Sequence, residues 1–355
     1  MRLRRTAALL VAVALGTAAC APATGAAPGK AAPGKGTSGT AASGTAASGT
    51  SAPGQGAPAS ATAAAPKSLL HQTAEQRAAT AASLRQVDDL PLYEMTYHGG
   101  YEADAPMTEA ELARREDGWA CSLFLRGTEF GRNFDWHANP AMVVHADPPD
   151  GYASISLVDA FYVLNRKGPA DLKADARRLA HAVLVPFDGM NEKGLAIGLA
   201  TTPTAILPKP AGRTTVSSAR IIRLILDRAA TVREAVELMG RYHLDFSSGI
   251  QVHYLIADRS GDSVVVEYGD GKLNVIDDDK LTNITMAGTT VADRLRDTRY
   301  RTLAESPAGG LDLLSQVAQG HTRWSVVYDL AKLDARLVTA KRWERVHTFR
   351  LSSPG

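Results

Sequence analysis

Residues 21 to 66 are built almost wholly from Ala, Gly, Ser, Thr and Pro, broken only by Lys30, Lys35 and Gln55. Such a stretch has too little apolar surface to offset the entropy of ordering its backbone, so it predicts a flexible tether. Its near-copies of Gly-Thr-Ala-Ala-Ser have no period long enough to stack as a solenoid. The folded part is therefore expected from residue 67 onward, about 290 residues, long for one domain but within the range of a two-layer enzyme.

The segment before the tether has the parts of an export signal. Arg2, Arg4 and Arg5 form a positive start, residues 7–15 an apolar run too short to span a bilayer, and Thr17-Ala18-Ala19-Cys20 a small-residue cleavage site. Cleavage before Cys20 would expose a cysteine for lipid attachment, with the tether holding the folded body away from the membrane. Lipoprotein signals usually carry Leu where Thr17 stands, so plain secretion stays open beside lipidation, and Arg4-Arg5 hints at the twin-arginine route. The expected location is extracytoplasmic, membrane-anchored through Cys20 or secreted.

The formal net charge is only +2 and the basic residues are spread out, without the stripe of cations and aromatics that a nucleic acid requires. Residues 69–87 read as helix from their composition, and residues 108–115 as a second helix opening on a capping box, Thr108 with Glu111. Short strands are expected at 121–126, 142–146, 154–158 and 194–201, then helices at 217–230 and 232–242. Further strands follow at 251–257, 263–268 and 272–276, with a hairpin turn at Gly269-Asp270-Gly271. Helices at 292–304 and 311–318, then strands at 324–330, 336–340 and 345–350, complete the pattern. Strands in runs and helices in runs predict an α+β fold in which two antiparallel sheets pack face to face with helices outside.

Only two cysteines occur, Cys20 and Cys121. With Cys20 lost or lipidated, Cys121 is an unpaired thiol in an exported chain, a flag for reactivity. A thiol becomes a nucleophile when one group takes its proton and another stabilises the thiolate. Arg132, Asn133 and Asp135 lie within fifteen residues, in Phe130-Gly-Arg-Asn-Phe-Asp-Trp136. If Cys121 begins one strand of a hairpin and this string ends the next, cation and carboxylate return to the thiol. A buried structural cysteine beside a surface ion pair fits the same spacing.

Cys121-Ser122, Gly131-Arg-Asn-Phe-Asp135 and Asp188-Gly-Met-Asn-Glu-Lys-Gly-Leu195 together resemble the choloylglycine hydrolase family of N-terminal-nucleophile amidohydrolases. The resemblance continues through Lys272-Leu-Asn-Val275, Leu281-Thr-Asn283, Thr298-Arg-Tyr300 and Thr322-Arg-Trp-Ser-Val-Val-Tyr328. It implies a four-layer αββα sandwich over residues 121–355, preceded by a helical segment at 67–120. It implies that Cys121 is freed at a new N-terminus, its thiol the nucleophile and its α-amine the base, with Arg132 lowering the thiol pKa, Asp135 holding the amine and Arg299 orienting the cluster. Asn283 matches a family asparagine of the oxyanion hole. Thr201, followed by Thr202, stands where relatives carry a second asparagine, and Asn133 is a further substrate or oxyanion candidate. For the α-amine to exist, the Cys121 thiol must attack the Ala120 carbonyl, leaving two associated fragments.

The expected substrate is a small linear amide: an N-acyl amine, an N-acyl amino acid or a penicillin V-like side chain. Acyl transfer by the same thioester and a tethered binding lipoprotein without catalysis are the alternatives, and Thr201 favours the last mildly. No cofactor and no metal are implied: His137, next to Trp136, has the chemistry of a ligand or acid but reads first as a structural group, His181 and His253 lack partner spacing, and Asp277-Asp-Asp-Lys280 reads as a solvated turn rather than a calcium loop. Trp324 is expected in the core.

Overall fold

The computed structural model describes residues 68–89, 91–112, 118–165, 172–209, 212–247 and 249–351. The expected export signal, Cys20 and the tether lie outside the described residues. The chain first forms β1 (Leu70–His71), α1 (Ala74–Ser83), β2 (Arg85–Asp88), β3 (Leu92–Tyr97), β4 (Gly100–Tyr101) and α2 (Glu109–Leu112). It continues through β5 (Ala120–Arg126), β6 (Glu129–Asp135), β7 (Ala141–Ala146), β8 (Ser154–Asp159), α3 (Ala160–Leu164), α4 (Ala176–Leu179), a 3-10 turn, β9 (Asp188–Asn191) and β10 (Ala196–Thr201). Next come β11 (Thr215–Ser217), α5 (Arg220–Arg228), α6 (Val232–Met239), β12 (His243–Asp245), β13 (Val252–Ala257), β14 (Ser263–Gly269), β15 (Lys272–Ile276) and β16 (Lys280–Leu281). The last are α7 (Val291–Arg294), α8 (Thr298–Glu305), α9 (Gly310–Gln316), β17 (Thr322–Asp329), β18 (Asp334–Thr339) and β19 (His347–Arg350).

Two sheets carry the architecture. One has nine strands in the order β15-β14-β13-β10-β9-β8-β7-β3-β2, antiparallel throughout except where β3 runs parallel to β7. The other has six antiparallel strands, β16-β5-β6-β17-β18-β19. Strand β5 packs against β10 and β13, while α5 and α6 cover the larger sheet and α8 and α9 the smaller, so the layers run helix, sheet, sheet, helix. Strand alternation sorts the β5 side chains between two cores. Cys121, Leu123 and Leu125 enter the large core, whereas Phe124 joins Leu303, Leu313, Leu314, Val317 and Val327 under the helices. The sheets approach so closely at Gly198 that a Cβ there would come 2.7 Å from the Leu123 side chain.

The segment before Cys121 differs from the expected pair of helices. Helix α1 begins only after Thr73, whose hydroxyl accepts from the Gln76 N–H at 3.2 Å while the Gln76 side chain accepts from the Thr73 N–H at 2.8 Å. Residues 85–88 leave the helical path and become β2, because pairing with β3 gives their backbone partners in the sheet. Segment 67–120 thus supplies two strands of the larger sheet. The Thr108–Glu111 capping box forms, with Thr108 N–H donating to Glu111 at 2.8 Å; α2 spans Glu109–Leu112, and residues 113–117 lie outside the described residues. The helix expected over 292–304 divides in two, since Asp297 caps α8 by accepting from the Tyr300 N–H at 2.8 Å.

The turn expected at 269–271 forms a hairpin, and the Asn-Glu-Lys-Gly part of the motif at 188–195 forms a second one. Asp270 and Gly271 take φ values of 53° and 70° between β14 and β15, the signs a tight two-residue turn requires. In the Asn-Glu-Lys-Gly turn, Asn191 accepts from the N–H groups of Lys193 and Leu195 and donates to the carbonyls of Leu226 and Ala229 at 2.9 and 2.8 Å. Both ends of the Asn191 amide are thus committed to backbone, and the side chain ties the turn to the end of α5.

Candidate active site

Strand pairing between β5 and β6 sets Ala120 opposite Asp135, Cys121 opposite Phe134 and Leu123 opposite Arg132. The hairpin expected from spacing alone therefore exists. On its inner face the fully buried Cys121 Sγ accepts from Arg132 Nη2 at 3.3 Å. The same nitrogen donates to the Leu199 carbonyl at 3.1 Å, and Nη1 forms a buried ion pair with Asp188 across the sandwich. Tyr328 Oη donates to the second Asp188 oxygen. Rings of Phe134 and Trp324 lie 4.9 and 5.9 Å from the guanidinium carbon, and Trp324 is fully buried.

Burial pushes the Cys121 thiol up to about 11, with Arg132 pulling against it and Asp135 adding to the rise. Arg132 thus pulls the thiol pKa down, the direction expected of it, but burial outweighs that pull in the intact chain. Arg132 shares its charge with Asp188 and cannot offset the loss of water around the sulfur.

The outer face presents a different network. Arg299, on α8, donates from Nη1 to the Cys121 carbonyl at 2.7 Å and to Ser122 Oγ at 3.1 Å, and from Nη2 to Asn283 Oδ1 at 3.0 Å. Asn283 Oδ1 also accepts from the Cys121 N–H at 2.8 Å. Its Nδ2 donates to the carbonyl and hydroxyl of Thr201 at 2.8 and 2.9 Å, and the Thr201 hydroxyl donates to the Trp119 carbonyl. Asp135 is buried, accepts from Gln319 Nε2 at 2.6 Å and from Thr322 Oγ1, and lies 3.8 Å from Arg299. Cys121, Arg132, Asp135, Thr201, Asn283 and Arg299 are thus gathered around one peptide bond, Ala120–Cys121.

Asn133 is not part of that group. It points under the helices, donating to the Leu314 carbonyl at 2.8 Å and accepting from Ser325 Oγ at 2.6 Å, so both ends of its amide are committed. One step along a strand reverses the side chain, and Arg132 already takes the inner face.

Three features were missed in the sequence. Asp188, the first residue of the Asp-Gly-Met-Asn motif, is the buried counter-charge of Arg132; a carboxylate within an otherwise uncharged strand was its only signal. Glu267 holds the Asn283 loop by accepting from the N–H groups of Met286 and Ala287, and meets His253 Nδ1 at 2.7 Å. Burial raises the Glu267 carboxyl, but His253 and those N–H groups outweigh it and leave the group below its ordinary range. Asp278 turns inward to Arg294 and Tyr300, so the run at 277–280 is not simply a solvated turn. Among the described residues, no group of three or more His, Cys, Asp or Glu could hold a metal ion.

A groove of about 990 Å³ lies between α6, the β14–β15 hairpin and α8, lined by Val236, Val264, Val275, Asp279, Lys280 and Leu295. It does not reach Cys121, whose surroundings are closed in the intact chain.

Solved structures similar to this chain include a variant of conjugated bile acid hydrolase from Clostridium perfringens (16% identity, 65% of this chain and 92% of that one, TM-score 0.47), penicillin V acylase from Agrobacterium tumefaciens (20%, 64% and 76%, TM-score 0.37) and the Caenorhabditis elegans ortholog of N-acylethanolamine-hydrolyzing acid amidase (15%, 66% and 100%, TM-score 0.40). No curated protein gave a match by sequence. Residues 127–306 match the family described as linear amide C–N hydrolases, choloylglycine hydrolase family. That match spans half of the sequence, and the chain belongs to the choloylglycine hydrolase family of linear amide C–N hydrolases, enzymes that cut amides other than peptide bonds.

Proposed function

We propose that this chain is an exported cysteine amidase, activated by cleavage of its own Ala120–Cys121 bond, that hydrolyses small linear N-acyl amides through a thioester. The observation that carries the reading is the convergence on that bond. Cys121 Sγ lies 3.3 Å from Arg132, and the Cys121 nitrogen is held at 2.8 Å by Asn283, which Arg299 also binds. Attack of the thiol sulfur on the Ala120 carbonyl carbon breaks the C–N bond, and the nitrogen takes the thiol proton to become an amine. Water then releases the Ala120 carboxylate and restores the thiol. An α-amine has an ordinary pKa near ~7.7 to 8, suited to taking the thiol proton in each later turnover. Asn283, together with backbone donors near Thr201, supports the oxyanion.

Cys20 and the tether fit anchorage outside the cytoplasm, with the two fragments held together by β2 and β3 in the larger sheet. The test is the intact mass and N-terminal sequence of purified wild type beside Cys121→Ala, followed by turnover of an N-acyl amide panel. A fragment beginning at Cys121 in wild type alone, with amide turnover, is the expected result. An uncut wild-type chain would remove the α-amine and sink the mechanism; transfer to an added amine faster than to water would make the enzyme an acyltransferase.

A further inference from the structure

The residue two before the nucleophile sits in a cage of rings. The Trp119 indole is buried, stacked on Phe187 at 5.2 Å between centroids, edge-on to Trp136 at 5.5 Å and 6.0 Å from Phe134. Tyr162 meets the far side of Phe187 at 4.8 Å. The cage adjoins the thiol: Phe134 is the cross-strand partner of Cys121, and Phe187 precedes Asp188, which holds Arg132. Aromatic packing of this kind selects for ring geometry as well as area. The indole N–H groups of Trp119 and Trp136 are both buried without a hydrogen-bond partner.

From this geometry we infer that the Trp119 slot is the acyl-binding site of the mature enzyme, and that it takes acyl groups ending in an aromatic ring. The inference rests on the self-cleavage proposed above. In that reaction the first group carried on Cys121 Sγ is the chain's own acyl group, Trp119-Ala120, joined as a thioester after the Ala120–Cys121 C–N bond breaks and the nitrogen takes the proton. The Trp119 carbonyl is held there by the Thr201 hydroxyl. A substrate acyl group on the same sulfur must extend into the same space, so Trp119 has to leave once water has released it. Departure opens a ring-lined pocket beside the thiol with the Trp136 ring on its wall. Between the Ala120 carbonyl carbon and the indole lies the spacer Cα–N–C–Cα–Cβ. A 6-phenylhexanoyl group reproduces that spacer; phenylacetyl is too short, and hexanoyl lacks the ring.

The experiment compares kcat/KM of the cut wild-type enzyme for 4-nitroanilides of 6-phenylhexanoic, phenylacetic, hexanoic and dodecanoic acids, after mass spectrometry has established cleavage. The expected result is an advantage of about tenfold or more for 6-phenylhexanoyl over each of the others. Cut enzyme that hydrolyses hexanoyl or dodecanoyl amides as well or better overturns the aryl pocket and leaves the amidase reading standing. If cut enzyme turns over none of the four, tryptophan fluorescence with 6-phenylhexanoate decides the pocket by itself. Quenching in the cut protein but not in uncut Cys121→Ala supports it, and equal or absent quenching in both overturns it. A wild-type chain that never cuts overturns both readings.

Discussion

The two faces of the β5–β6 hairpin solve the problem of buried charge in opposite ways. On the inner face, Arg132 is sealed between the sheets and balanced by one carboxylate, Asp188, from the opposite sheet. On the outer face, Asp135 is held by several modest partners, Gln319, Thr322 and the more distant Arg299. A single counter-ion makes the first site rigid and costly to disturb, since a buried charge without its partner has no other solvation. Distributed donors spread the second site over several contacts, and what stands opposite Asp135 across the strand pair is Ala120.

The hardest way to break this contrast is Asp188→Ala in the uncut Cys121→Ala background. It leaves Arg132 buried and uncompensated and is expected to cost about 3–5 kcal/mol of stability, read by thermal or urea unfolding. Tyr328→Phe, which removes one hydroxyl from Asp188, should cost about 1 kcal/mol. Equal losses in the two variants would mean that Arg132 does not depend on its counter-ion.

The thiol on the inner face titrates the same contrast. Its pKa of about 11 keeps it neutral at pH 7, and the thiolate fraction rises about tenfold per unit up to that value. Self-cleavage of freshly refolded wild type, followed by intact mass, should therefore accelerate about tenfold per unit between roughly pH 7 and 10. A flat profile would show that a neighbouring group removes the proton in the transition state.

Asp135→Asn probes the outer face, where a loss of function with little loss of fold is expected. Stability should change by about 1 kcal/mol, because asparagine keeps one acceptor for the Gln319 amide and offers its NH2 to the Thr322 hydroxyl, which can accept as well as donate. Activity of the cut enzyme should fall about tenfold to a hundredfold. The sign of its pH shift is specific: a carboxylate favours the charged amine, so its removal lowers the α-amine pKa and moves the acid limb of kcat/KM to lower pH. An unmoved limb would separate Asp135 from the amine.

Spacing along the chain made the hairpin legible, because Cys121, Arg132 and Asp135 lie within one turn-back of the backbone. Asn283 and Arg299 were reachable only through family resemblance, since the chain between them and Cys121 passes through seven of the nine strands of the larger sheet. Asp188 was inside a recognised motif yet its role was hidden, because its partner comes from the other sheet and no local pattern encodes that crossing. His253 and Glu267 were nearer to hand: the short β13–β14 hairpin sets Tyr254 opposite Val266, which places the two side by side. Strands β2 and β3 escaped notice for a physical reason. Helix-forming composition in 69–87 is a weak preference, and residues 85–88 yield it to hydrogen bonding at the edge of an existing sheet.

Asp159 supplies the contrasting case of a buried carboxylate with no cation beside it among the described residues, and the smallest expected effect. It caps α3, the helix that carries Tyr162 onto Phe187, by accepting from the N–H groups of Phe161 and Tyr162 at 2.8 and 2.9 Å. Burial lifts its pKa from an ordinary 3.8 to about 6, although those N–H groups and Asn139 draw it down. A raised carboxyl pKa means that the fold prefers the neutral form, so the group's contribution is greatest below pH 4 and is lost as pH rises from about 4 to 6. Asp159→Asn keeps a capping oxygen and removes the charge. The loss of attraction to the helix N-terminus offsets part of the gain, leaving about 1–2 kcal/mol of added stability at pH 7 and almost none at pH 4. Urea unfolding of Cys121→Ala with and without Asp159→Asn at the two pH values measures the difference. A destabilised variant at pH 7 would show that the fold supports the ionised Asp159 rather than merely tolerating it, and that a carboxylate in this sandwich can do without a cation.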